Sequence, residues 1–225
     1  MNRSSMGLLE DQPRTIVQRL THEISERILS GEIPPGSRLQ QNAIAEQFGT
    51  SSTPVREAFG ELARQGLVIM RPHRGVEVFR PTRTDVIEAS EVQQLLESRA
   101  VETSVPLLTD ADLGSARAVL DELRDLPAAQ RRRGVDLDTA FHLVLMARCP
   151  NGRLRELAES ARRDTTIHRL VFVPISEPSG ALLEQIHAQH EAIYDACLRR
   201  DAAAAASASV DHIRWSLNQI TDRLR

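Results

Sequence analysis

Asp138 and His142 stand four residues apart in "DLDTAFH", the spacing that sets two side chains on one face of a helix. Two more histidines, His190 in "QHEAIYDA" and His212 in "DHIRWSL", fall in separate segments nearer the C-terminus. One carboxylate and three neutral imidazoles aimed inward from three helices make a site for a divalent cation. His187 lies three residues before His190, so by spacing alone either could be the inward one. Read on its own, "DTAFH" is also an ordinary pair on a helix surface.

A second chemistry lies in "TSSTPVREAFGELARQGLVIM", residues 50–70. Val55, Ala58, Phe59 and Leu62 recur at i, i+3, i+4 and i+7, one buried helical face. Pro54 fits the first turn, where backbone N–H groups have no intrahelical partner. Ser51, Ser52 and Thr53 are all competent N-caps, so the spacing predicts a helix from about Ser52 with Arg56 facing outward. An arginine there can fork onto guanine or grip phosphate. The three hydroxyls beside a helix N-terminus suit phosphate oxygens. Alternatively, Arg56 is a solvated residue paired with Glu57 or Glu61. Arg71, His73 and Arg74 beside Gly75 form a second basic group and favour nucleic acid.

Bulk composition narrows the possibilities. The 225 residues are 41% hydrophobic and 26% charged, enough apolar content for one large or two ordinary domains and unlike a disordered chain. Aromatics are only 3%, so the core must be Leu, Ile, Val and Ala, a mix that favours helices. Two cysteines, Cys149 and Cys197, give no disulfide framework and suit a reducing compartment. No apolar run reaches a membrane span and no signal-peptide core is present, so the expected location is the cytoplasm. Net charge is −3, yet residues 1–82 carry 10 Arg against 9 acids while residues 83–225 carry 18 against 22. The near-neutral first part still presents a basic edge in "RPHRGVEVFR", with Arg71, Arg74 and Arg80 against one acid, Glu77. All basic residues are Arg, which biased genome composition explains.

The elements that must position these groups follow from periodicity. A helix runs from about Arg14 to Leu29, a Gly/Pro turn follows in "SGEIPPGSRL", and a short helix spans "QQNAIAEQF". Gly49 ends it three residues before the Arg56 helix, the helix-turn-helix arrangement. After Gly66, "LVIMRP" and "GVEVFR" flank Pro72–Gly75 and read as a two-stranded wing. Beyond "RPTRT", residues 80–84, about six helices and no strand pattern appear. The Ala-rich segment 202–209 reads as helix. The expected architecture is mainly α: a winged helix-turn-helix over 1–80 and an all-helical bundle over 81–225.

"ISERILSGEIPPGSRLQQNAIAEQFGTSSTPVREAFGELARQGLVIMRPHRGVEV" resembles the DNA-binding domain of GntR-family bacterial transcription regulators. The resemblance rests on the "SG-x-I-x-PG-x-x-L" turn, the "TPVREA" helix start, the "GL" before the wing and "RG-x-x-V" within it. It implies that Ser51, Thr53, Arg56 and the wing around Arg74–Gly75 contact DNA. Ser52 stands where the family usually has an Arg that helps read bases, which bears on the operator sequence rather than on DNA binding itself.

The C-terminal part resembles the FCD ligand-binding domain of the FadR subfamily. Its marks are "D-x-x-F-H" at 138–142, Asn151, "QHEAIYDA", and the Asp201, Ala205 and His212 pattern. The resemblance implies Asp138, His142, His190 and His212 as metal ligands, with His187 and His168 outside the set. It also implies a small organic acid as effector. Many relatives carry an Arg for the effector carboxylate in "E-x-R-x-x-L-E"; here "EVQQLLE" places Gln93 there. An amide binds carboxylate less strongly than a guanidinium, so the effector is less anionic or another Arg (Arg99, Arg162 or Arg163) substitutes. The candidate effector contacts are therefore Gln93, Arg99, Asn151 and Arg162.

Together these readings give a homodimeric, metabolite-responsive DNA-binding regulator, a repressor acting on a palindromic operator. Its divalent ion is expected to be zinc, with nickel or manganese as alternatives. A metal-dependent enzyme with an appended DNA-binding domain is the rival, against which no general base or nucleophile of assignable role is found. A metal sensor without an organic effector is the third reading.

Overall fold

A computed structural model describes residues 15–71, 75–127, 130–172 and 180–222, with the side chains at 131, 132 and 168–172 excepted. The chain divides into two compact units, 1–79 and 80–225.

In the first unit, α1 (Ile16–Leu29) opens on a reciprocal cap. The Thr15 hydroxyl accepts from Gln18 N, and Gln18 Oε1 accepts from Thr15 N, satisfying two donors that a helix start leaves open. Its buried stripe of Leu20, Ile24 and Ile28 packs on α3 (Ser52–Arg64), whose Val55, Ala58, Phe59 and Leu62 are buried in turn. Pro54 is the third residue of α3, so its missing N–H breaks no helical bond. Between α2 (Gln41–Gln47) and α3, Gly49 sits at φ +60°, a conformation open to glycine at little cost.

The wing strands β2 (Val68–Arg71) and β3 (Gly75–Val78) pair antiparallel, Val68 opposite Val78 and Arg71 opposite Gly75. A third strand, β1 (Arg38–Leu39), pairs with the other edge of β3, giving the order β1-β3-β2. The sequence reading had placed Arg38 and Leu39 in a turn. Two residues are too few to show strand alternation; the pairing with Val76 and Glu77 makes the strand.

The second unit is built of helices, with no strand among its described residues. It comprises α4 (Arg83–Ser104), a 3-10 turn (Val105–Leu107), α5 (Asp110–Asp125), α6 (Arg131–Met146), α7 (Gly152–Phe172), α8 (Gly180–Leu198) and α9 (Ala202–Thr221). Thr82 and Thr109 cap α4 and α5 reciprocally with Asp85 and Asp112. Asp201 caps α9. The Ala-rich segment is the first half of α9, with Ala205 and Ser209 fully buried. Val101, Val105, Phe141, Leu145, Met146 and Ile193 fill the core. Above it α4 lies against both α7 and α9.

Candidate recognition helix and metal centre

The buried face of α3 turns Arg56 and Glu57 to solvent. Ser51 is the N-cap residue, in extended conformation, and its side chain makes no capping bond. Ser51, Ser52, Thr53 and Arg56 are all exposed around the positive end of the helix. Gln41 Nε2 donates to the Ser52 carbonyl at 2.6 Å, fixing the start of α3 against α2. Arg71 is exposed at the end of β2, opposite Gly75, which has φ +85°. His73 and Arg74 lie outside the described residues.

In the helical unit, α6 supplies Asp138 and His142, α8 supplies His190, and α9 supplies His212. One potential ligand atom from each falls within 4.8 Å of all the others, and all four residues are buried. His190 Nε2 is 3.2 Å and His212 Nε2 3.8 Å from Asp138 Oδ1. The three imidazole centroids are 4.6–5.4 Å apart. Three rings packed this closely around a carboxylate, only His142 and His212 stacked face to face, leave a polar centre in an otherwise apolar bundle.

Polar neighbours orient the rings. Gln189 Oε1 lies 2.8 Å from His212 Nδ1, leaving Nε2 to face Asp138. Glu97 Oε1 lies 2.9 Å from His142 Nδ1. Arg162 in turn donates to both Glu97 oxygens, Nε to Oε2 at 3.0 Å and Nη2 to Oε1 at 2.6 Å, and reaches Asp138 Oδ2 at 3.4 Å. Gln93 Nε2 donates to Glu97 Oε2 at 2.8 Å, and Gln93 Oε1 accepts from the Thr165 hydroxyl at 2.7 Å.

Electrostatics follow from this burial. Burial disfavours the Glu97 charge, but Arg162 and His142 outweigh it and hold the carboxyl well below its usual range. Burial, reinforced by the Arg162 guanidinium, pulls His142 down to about 4, so the ring is neutral at physiological pH. A neutral imidazole is the form that ligates a metal. Both nitrogens of His142 and of His190 are buried without a hydrogen bond of proper geometry. Such orphaned acceptors are costly unless a bound group satisfies them, and an ion among these donors fits that requirement.

Of the candidate effector residues, the structure brings Gln93 and Arg162 to the cluster. Arg99 lies on the opposite side of α4, exposed and paired with Glu102 at 2.7 Å. Asn151 is exposed, and its Oδ1 accepts from Leu154 N at the start of α7. Arg163 is exposed and sits 4.0 Å from Glu159. His187 is half-buried and close enough to His190 to feel its charge, and the His168 side chain lies outside the described residues. Glu97 is the residue that sequence reasoning passed over, although it closes the "EVQQLLE" motif four residues after Gln93. Its i, i+4 relation to Gln93 was the available signal.

A cleft of about 380 Å³, counted with its open mouth, reaches this centre. Ser90, Gln93, Arg162, Thr165, His212 and Ser216 give it a polar side; Val86, Ile213, Leu217 and Ile220 give it an apolar one.

Residues 16–78 match the bacterial regulatory proteins of the gntR family, and residues 88–214 match the FCD domain. The chain belongs to the gntR family and carries an FCD domain. It is 28% identical over 205 residues to the HTH-type transcriptional regulator LutR of Bacillus subtilis strain 168, covering 83% of this chain and 92% of that one. The galactonate operon transcriptional repressor of Escherichia coli K12 is 25% identical over 225 residues, 91% of this chain and 96% of its own. A solved GntR transcriptional regulator from Rhodococcus sp. RHA1 is 26% identical with a TM-score of 0.71, covering 93% and 99%. The gntR-family protein described here is therefore a DNA-binding transcription regulator rather than an enzyme. No described helix is long and apolar enough to cross a membrane.

Proposed function

We propose that this gntR-family regulator is a homodimeric repressor whose FCD unit binds one divalent ion and a small hydroxy acid. The observation that carries the reading is the convergence of Asp138, His142, His190 and His212 within 4.8 Å in a buried centre. Three imidazoles and one carboxylate suit zinc, with nickel and manganese next by ligand type. A bound ion there supplies positive charge and, if six-coordinate, two open positions for a carboxylate and its neighbouring hydroxyl.

The chain's own groups do the rest. Glu97 and Gln189 orient His142 and His212 through their Nδ1 atoms, as partners of metal-bound histidines do. Gln93 and Thr165 present an amide and a hydroxyl to the cleft, suited to hydroxyl groups on a ligand. Arg162 spends its donors on Glu97 and Asp138, so it balances the centre rather than clamping a second carboxylate. One relative is the galactonate operon transcriptional repressor of Escherichia coli K12, and galactonate is a hydroxy acid, which agrees with such a ligand.

On DNA, Ser51, Ser52 and Thr53 contact phosphate, Arg56 reads a base, and Arg71, His73, Arg74 and Gly75 hold the wing against the backbone. The operator is palindromic, matching the symmetry of a dimer. Metal analysis of purified protein tests the centre. About one divalent ion per chain is expected, lost in His190→Ala and in His212→Ala and kept in His187→Ala. Loss in His187→Ala with retention in His190→Ala would overturn the ligand assignment.

A further inference from the structure

The cleft that reaches the candidate metal centre changes character along its length. Two contacts set α4 and α9 antiparallel. Arg83 Nη1 donates to the Thr221 carbonyl at 3.5 Å, and Arg214 Nε donates to Gln94 Oε1 at 3.0 Å. That register sorts the lining residues into layers. Gln93 lies level with His212 and Ile213 beside the centre, where the Thr165 hydroxyl donates to it at 2.7 Å. Ser90 lies level with Ser216. Val86, Leu217 and Ile220 form the end farther from the centre. On α4, Val86, Ser90 and Gln93 recur at i, i+4 and i+7 and so share one face. Val86 stands about 10 Å from Gln93 along the helix axis.

The two ends suit different parts of one ligand. Beside the centre, an amide, a hydroxyl and an imidazole can partner a carboxylate with its neighbouring hydroxyl. Arg162 adds no clamp there, because its donors go to Glu97 and Asp138. At the far end the side chains are aliphatic and offer neither donor nor acceptor. Val86 and Ile220 are buried and Leu217 is half-buried, so this end is a wall of the bundle interior rather than open surface. A polyhydroxy acid laid along the cleft would bury hydroxyls against that wall without partners, which is unfavourable. An alkyl chain in the same place gains by leaving water.

We infer that the cleft selects an α-hydroxy acid carrying an apolar chain. The acid and hydroxyl lie at the Gln93–His212 end, and the chain runs past Ser90 and Ser216 onto Val86, Leu217 and Ile220. This rests on the reading of the centre as a hydroxy-acid site and adds the substituent that the ligand carries.

Calorimetric titration of the zinc-loaded full chain with lactate, α-hydroxyoctanoate and galactonate tests it. α-Hydroxyoctanoate should bind at least roughly tenfold more tightly than lactate, because several methylenes leave water. Galactonate should bind the most weakly of the three. Leu217→Ser and the isosteric Val86→Thr should each lower the ratio of α-hydroxyoctanoate to lactate affinity by roughly fivefold. Circular dichroism melts confirm that both variants fold. If none of the three acids binds, the hydroxy-acid reading falls and this inference with it. If lactate or galactonate binds as tightly as α-hydroxyoctanoate, the apolar chain is wrong and the hydroxy-acid site stands. A ratio unchanged in both folded variants would overturn the placing of the chain on this wall.

Discussion

Glu97 Oε1 lies 2.9 Å from His142 Nδ1, and neither side chain has any solvent exposure. A charged carboxylate this close to Nδ1 favours the tautomer protonated there, which leaves the His142 Nε2 lone pair facing the cluster. The carboxylate stays charged chiefly because Arg162 faces it with two donors, with His142 adding to the effect. One helix thus supplies an orienting group to a candidate ligand that sits on another.

Replacing Glu97 tests that relation directly. Glu97→Gln removes the charge and keeps the shape. Metal affinity should fall by about 10–100-fold, the usual effect of losing such a partner, with the four ligands intact. Competition against a chelator of known affinity measures it; an unchanged affinity would reduce Glu97 to a packing residue.

Arg162 is a matter of stability. Removing it leaves Glu97 buried without its main counter-charge, so Arg162→Ala should destabilise the metal-free protein by about 3–5 kcal/mol. Arg162→Met combined with Glu97→Leu removes both charges and should recover most of that loss. Urea midpoints of the three proteins decide between this and a purely steric role for Arg162.

Acid should weaken the metal-free protein in a defined window. The folded-state value of His142 is lowered from 6.5 to about 4, so the unfolded chain takes up this proton first. Stability is therefore full above about pH 6.5 and declines as pH falls toward 4, by up to about 3 kcal/mol. The lowered Glu97 value continues the decline below about 4.5. Unfolding at pH 7.5, 5.5 and 4.5 should show progressively lower midpoints, and equal midpoints at 7.5 and 5.5 would remove His142 as the cause.

Much of this was legible in the sequence because local rules and tertiary packing agree. The stripes Leu20–Ile24–Ile28 and Val55–Phe59–Leu62 follow helical periodicity and are the buried faces of α1 and α3. Spacing alone put Asp138 and His142 on one face, whereas singling out His190 over His187 required the family resemblance. Glu97 was passed over because α4 inverts the usual rule, burying Ser90, Gln93 and Glu97 while exposing Val92 and Leu95. Its apolar periodicity is weak for that reason. Arg99 and Asn151, an arginine and an asparagine near the same motifs, pair with Glu102 and cap α7 respectively. Sequence distance does not say which side of a helix faces the centre.

On the DNA side, Arg56→Ala should weaken operator binding by about 1–3 kcal/mol if Arg56 forks onto a guanine. Folding should be unchanged, since Arg56 is exposed and the Val55–Phe59 face is untouched. Wild-type affinity should fall steeply with salt. Equal affinities of variant and wild type at two salt concentrations would take Arg56 out of the interface.

Measuring DNA binding and ligand binding in one reciprocal titration tests the sensing role most directly. The DNA is the stretch flanking the protein's own gene, and the protein is compared metal-free, metal-loaded, and metal-loaded with galactonate or another α-hydroxy acid that calorimetry shows to bind. An acid that binds the metal-loaded form should lower operator affinity by about 5–150-fold, a coupling of about 1–3 kcal/mol, and operator DNA must lower the affinity for that acid by the same factor. His212→Ala should abolish both effects. Operator affinity that stays the same with and without every acid that binds would contradict the account, because the FCD centre would then hold its ligand without reporting it to DNA.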